Sequence, residues 1–231
     1  MKKGFMLLLA VTLLSLAANA QTKETRDLKG FSKVSFGVSG ELYIGFGQDF
    51  NVVLEGDRDD LKKTITEITS GRLVIKRERG NWDFNDHRII VHITMPNIEG
   101  LSVSGSGKAE ISENVKEADN LDLSVSGSGR LLTSGIVADN LNCSISGSGN
   151  IVLGGQGNAD SGDISISGSG NYTGEQVEID KLDINLSGSG NCTVKVGDEL
   201  SASVSGSGNV TYIGNPKLDA RISGSGRVRS R

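Results

Sequence analysis

The tetrapeptide Ser-Gly-Ser-Gly occurs seven times in the C-terminal part of this chain, and its spacing limits the fold more than any other feature. The first serines are Ser104, Ser126, Ser146, Ser167, Ser187, Ser205 and Ser223, separated by 22, 20, 21, 20, 18 and 18 residues. A period of this size belongs to chains in which each repeat forms one coil and buries its apolar side on its neighbours. The residue before each first serine is aliphatic: Val103, Val125, Ile145, Ile166, Leu186, Val204 and Ile222. Two positions earlier stand Leu101, Leu123, Cys143, Ile164, Ile184, Ala202 and Ala220, and two earlier again come Leu121, Leu141, Leu182, Leu200 and Leu218. A period of two means strand, with these columns on one side.

The same parity runs on through the glycines, so that Leu141, Cys143, Ile145, Gly147, Gly149, Ile151 and Leu153 share one face and the serines the other. A straight strand of thirteen residues would span about 43 Å at ~3.3 Å per residue, too long for one side of a coil of about twenty residues. The strand must therefore bend at the glycines, which tolerate corner geometry and leave room where the walls converge. A two-sided coil with roughly nine residues per side is expected. The serines should point outward and stack as hydroxyl ladders, with Asn150, Asn171, Asn191 and Asn209 beside them. Seven residues before each first serine lie Asn97, Asp119, Asp139, Asp160, Asp180, Asp198 and Pro216, all turn formers and so markers of a second corner. Stacked aspartates ~5 Å apart repel by about 0.8 kcal/mol per pair even in water, which turn hydrogen bonds, solvent or a cation must offset. The glycine-aspartate nonapeptide of calcium-binding β-rolls is absent, and corner capping is the reading adopted.

Residues 21–97 carry strands without the tetrapeptide. FSKVSFGVSGELYIGF alternates on either side of a turn at Gly40, DRDDLKKTITEITSG suits one or two helical turns, and RLVIK and RIIVHITMP flank RERGNWDFNDH as a candidate hairpin. This part should form less regular coils capping the stack. Residues 1–20 have the form of a signal peptide: Lys2 and Lys3, an apolar run, then Ala18-Asn19-Ala20. No cysteine follows the run, so an exported protein without a lipid anchor is expected, with no membrane span after cleavage and residues 21–231 as a single domain, irregular over 21–97 and repetitive over 98–231.

Lys+Arg number 24 against 28 Asp+Glu, a balance that offers nucleic acid no basic surface. Cys143 and Cys192 fall on inward parity, two coils or ~9.6 Å apart along the stack, beyond disulfide reach, and should be buried free thiols. No catalytic, cofactor or metal residues emerge. His87 and His92 fall on opposite strand faces, His87 with Trp82, Asp83 and Asp86 reads as a solvated hairpin tip, and Asp59 and Asp60 lie in a charged surface stretch. The last coil, RISGSGRVRSR, ends in an unpaired strand carrying Arg227, Arg229 and Arg231, which either blunts end-to-end association between copies or docks an acidic partner or a lipid headgroup.

The succession FSKVSFGVSGELYI, NVVLEGDRDDL, SGRLVIK and VHITMPNIEGLSVSGSG resembles the putative auto-transporter adhesin, head GIN domain family, which is similar to toast-rack envelope domains. The resemblance implies an all-β, right-handed parallel β-helix in an exported bacterial protein and carries over no catalytic residues. The repeats run to Gly226, so an outer-membrane barrel or sorting domain of its own is not expected. Three functions follow in order of preference: a non-catalytic exported scaffold for adhesion or binding at the cell envelope, with an envelope protein or a glycan as partner; a periplasmic module of envelope-stress sensing with membrane partners; and a carbohydrate-active enzyme. The scarcity of aromatic residues, 4% of the chain, weakens the sugar-binding case.

Overall fold

Equivalent residues of successive repeats lie side by side. Val125, Ile145, Ile166, Leu186, Val204 and Ile222 pair coil to coil in parallel register, and the column continues the other way through Val103, Phe36 and Ile75. All are buried except Ile222 at the open end. The computed structural model describes residues 22–78 and 88–231, which form a β-solenoid of about seven stacked coils. Each side chain withdrawn into this spine contributes about 1.5–3 kcal/mol relative to exposure.

The coils have three sides, where two were expected. Burial alternates along Leu141, Cys143 and Ile145, resumes at Gly149, Ile151 and Leu153, and slips by one residue between Ala138 and Leu141. That slip makes the aspartate column a true corner. A third corner lies at Ser134-Gly135 and Gly154-Gly155, where coils touch so closely that a Cβ on Gly155 would sit 1.9 Å from the Ser134 carbonyl oxygen. Three short ladders wrap about twenty residues around a single spine of aliphatics, whereas two long sides would leave no turn at these glycines.

The two glycines of each tetrapeptide have different tasks. Gly147 has φ +111 and turns the chain; it is exposed and does not share the inward face as parity suggested. Gly149 is buried, and a Cβ there would lie 2.4 Å from Val125 Cγ1 and 2.7 Å from the Gly129 oxygen. Only the first glycine bends the coil, while both let coil rest on coil: a Cβ on Gly147 would lie 2.6 Å from the Gly127 oxygen.

The N-terminal region does not stack in chain order. Its elements are β1 (Thr22–Arg26), β2 (Lys33–Gly37), β3 (Gly40–Phe46), β4 (Asn51–Gly56), α1 (Arg58–Lys63), β5 (Thr64–Thr69), β6 (Arg72–Arg77), β7 (Ile89–Met95), β8 (Gly100–Gly105), β9 (Lys108–Ile111) and β10 (Val115–Gly127). β2 lies between β6 and β8, and β3 between β7 and β9, so the first coil of the chain is the second of the stack. β6 and β7 do not pair with each other; the expected hairpin is instead two sides of one coil. Lys76 pairs with Gly37 and Ile89 with Gly40, so β6 ends and β7 begins beside the two ends of the Gly37–Gly40 turn. Trp82, Asp83, Asp86 and His87 of the expected hairpin tip lie outside the described residues.

Antiparallel strands finish this end of the stack: β5 on β6, β4 on β7 and β1 on β4. α1 joins them. Asp57 caps it by accepting the Asp59 N–H at 2.9 Å, with acidic residues in its first turn and lysines in its last, as the helix dipole favours. Leu61 joins the core. Asp60, expected on the surface, is buried and bonded to Arg77 at 2.9 Å. At the other end Lys217–Gly224 and Arg227–Ser230 each pair on one side alone among the described residues, leaving Leu218 and Ile222 41% and 47% exposed.

Candidate binding surfaces

Both serines of all seven tetrapeptides are exposed, in two columns along one corner. The expected hydroxyl ladders do not form there. Among the described residues none of these hydroxyls bonds another protein group, and the one serine-to-serine bond, Ser124 to Ser102 at 2.9 Å, lies on the neighbouring side. Asparagine builds the ladder instead: Asn171 donates to Asn150 at 3.0 Å, Asn191 to Asn171 at 3.0 Å and Asn209 to Asn191 at 3.1 Å. An amide carries donor and acceptor together on a longer side chain and so bridges coil to coil, which a hydroxyl on one carbon does less readily. Asn191→Ala breaks the ladder on both sides and should cost about 1–2 kcal/mol, whereas Ser146→Ala should change stability by less than about 0.5 kcal/mol, both read as urea midpoints.

A groove of about 600 Å³ interrupts another side of the solenoid near the cap. The ladder on that side runs from Val115 and Ala118 through Ile136 and Ala138, Asn158 and Ala159, then Glu178 and Ile179 to Lys195 and Val196. Among the described residues its first strand has no partner on the outer side, because Pro96–Glu99, the matching part of the previous coil, is not a strand and Pro96 has no N–H to give. The floor is apolar: Ile98 and Val115 are buried, and Phe46 and Ala118 partly so. At one corner Glu113 accepts the Phe46 N–H at 3.4 Å; at the other Lys33 pairs with Asp122 at 3.1 Å. Burial acts to raise the Asp122 carboxyl, but hydrogen bonds from Asn142 and Lys33 and the charges of Lys33 and Arg72 outweigh it and hold the group below its ordinary value.

His92 lies on the outer face, stacked on Tyr43 with ring centroids 5.4 Å apart and 3.7 Å from Glu55. Lys108 covers the Tyr43 ring and Glu41 takes its hydroxyl, whose hydrogen bond raises the phenol above its ordinary value. The cluster satisfies itself. Cys143 and Cys192 are buried free thiols. Burial pushes both above the ordinary 9.0 and also raises Tyr172. Their folded forms hold the proton longer than the unfolded chain, so stability should be flat below about pH 8 and fall above it, by about 1.5–2 kcal/mol per thiol at about pH 10. Urea midpoints across that range check this, and the double variant Cys143→Ala, Cys192→Ala should flatten the decline.

At the C-terminal coil Arg231 reaches Glu175 at 2.7 Å and Arg229 approaches the Thr211 hydroxyl at 3.5 Å. Among the described residues no helix is long and apolar enough to cross a membrane.

The family model described as "Putative auto-transporter adhesin, head GIN domain" matches residues 30–216. A structure from Bacteroides fragilis described as a "putative adhesin" superimposes with a TM-score of 0.86 at 21% identity, over 93% of this chain and 98% of that one. A "putative adhesin" from Parabacteroides distasonis gives 0.74 at 23% identity, over 93% and 98%. A "Putative lipid binding protein" from Parabacteroides distasonis gives 0.71 at 21%, over the same shares. These likenesses are of fold. No curated protein matches the sequence.

Proposed function

Since the chain belongs to the putative auto-transporter adhesin, head GIN domain family, we propose that it is a non-catalytic exported scaffold of the bacterial cell envelope that holds a repetitive partner along its serine corner. The observation that carries this reading is the pair of exposed hydroxyl columns with no protein partner among the described residues. The asparagine amides beside them are spent on one another; the hydroxyls are not. Adjacent coils repeat at ~4.8 Å, so a chain-like ligand meets the same group at every step. Each neutral hydrogen bond contributes only about 0.5–1.5 kcal/mol, and many linked weak contacts add to useful avidity. A neutral glycan of the envelope or of a surface the cell meets has that chemistry. The adhesin family favours binding over turnover.

Sedimentation of the purified protein with insoluble envelope polysaccharides tests this. Replacing the serines at 146, 148, 167, 169, 187 and 189 by alanine should leave the melting temperature within a few degrees and lower the retained fraction severalfold. Equal retention by this variant would overturn the role of the corner. A second reading rests on the C-terminal coil, where half-exposed Leu218 and Ile222 stand beside Arg227, Arg229 and Arg231: this end docks an envelope partner at the membrane. Removing residues 227–231 should then abolish crosslinking to that partner in the native envelope, while new oligomers would mark the arginines as guards of the open edge.

A further inference from the structure

The groove beside the cap is built from the irregularity of the repeat. The step from Ser104 to Ser126 is 22 residues, against 20 for the next. Register shows where the surplus goes. Ile111 pairs with Thr133 and Val115 with Ile136, so three residues stand against two at the corner; Val115 and Ala118 pair with Ile136 and Ala138, so Lys116 and Glu117 stand against Val137 alone. Both additions line the groove, and the second is a bulge in which Glu117 takes φ +52. Bulges turn side chains that a regular strand would aim elsewhere.

We propose that this groove seats an extended peptide segment of a partner protein bearing lysine or arginine side chains. Three observations select that occupant. Among the described residues the strand Val115–Ala118 has a neighbour on one side only, leaving main-chain groups for a peptide backbone, as in strand addition to a sheet edge. The floor of Ile98, Val115, Ala118 and Phe46 accepts the apolar stems that lysine and arginine carry. The walls carry Glu99, Glu113, Glu117, Asp119 and Asp122 against Lys33 and Lys116. Lys33 already neutralises Asp122, so the remaining carboxylates face a single lysine. An acidic peptide would be repelled there, and a neutral glycan would leave the charges unanswered.

The test is fluorescence anisotropy of a labelled peptide of alternating lysine and threonine with the whole protein, beside its glutamate counterpart, spermidine and a neutral oligosaccharide. The lysine peptide should bind, weaken with added salt, and slow hydrogen exchange of the amides over Val115–Ala118. The double variant Glu113→Gln, Glu117→Lys, in which the glutamine amide oxygen still accepts the Phe46 N–H, should bind it at least about tenfold less tightly with an unchanged melting midpoint. Because both side chains are exposed, a changed midpoint is not expected; the exchange readout on the unaltered protein stands regardless. Equal binding of the glutamate peptide, displacement by the oligosaccharide, spermidine binding as tightly as the peptide, no binding at all, or protection confined to other strands would each overturn the proposal. The serine-corner variant should bind the peptide normally, which separates failure here from failure of the glycan reading.

Discussion

Gly188→Ala is expected to destabilise the protein by about 3–5 kcal/mol, the sum of a forced backbone and an overpacked contact. Gly188 has φ +125, which side chains other than glycine rarely adopt. An added Cβ would also lie 2.2 Å from the Gly168 oxygen in the coil beneath. Neither partner can step aside, because both are main chain and Gly168 is held in turn by Gly147. Gly71→Ala is the informative control: its φ is +72 but nothing lies within 4 Å of the added carbon, so about 1–2 kcal/mol is expected. Urea midpoints followed by far-ultraviolet circular dichroism measure both. If the two variants lose the same stability, close approach of the coils is not what demands glycine at the corner.

Phe36→Ala should cost about 3–5 kcal/mol, as truncation of a fully buried aromatic does. Phe36 is 0% exposed and lies in the spine between Ile75 of the cap and Val103 of the first tetrapeptide coil. Its ring reaches within 2.7 Å of where a Cβ on Gly107 would stand, so glycine on one coil makes the room that phenylalanine on the next fills. The lost ring leaves a void at the seam joining the out-of-order coils to the repeats. Ile222→Ala in the same column should cost only about 1 kcal/mol or less, because Ile222 is 47% exposed. Denaturation midpoints again decide, and limited proteolysis should show the cap released first in the Phe36 variant. Comparable losses at the two positions would mean that the column is not one graded spine.

Much of the candidate surface could be read from the chain. The serine columns, the asparagines beside them and the buried thiols follow from parity, which a regular repeat transmits faithfully. What failed was chemistry at finer grain. The tetrapeptide serines stack in register yet, among the described residues, their hydroxyls bond no protein group, whereas Ser124 and Ser102 on the neighbouring side do bond, a difference that periodicity does not decide. Asp60 reads as surface from its charged neighbours, but α1 turns it toward Arg77. The groove left one trace, the 22-residue step, whose meaning depends on which residues the next coil pairs.

By itself the sequence determined the parts that depend on nearest neighbours along the chain and on recurrence: period-two strands, a coil of about twenty residues, inward aliphatics and glycine corners. Alternation and period are local quantities, and burying one apolar face per repeat leaves few ways to stack. Only the tertiary structure decided the number of sides, the place of β2 and β3 beneath β6 and β7, and the strand edge that the described residues leave open at Val115–Ala118. Those depend on which distant segment offers backbone hydrogen bonds to a given edge, and an edge carries no side-chain pattern that announces its partner.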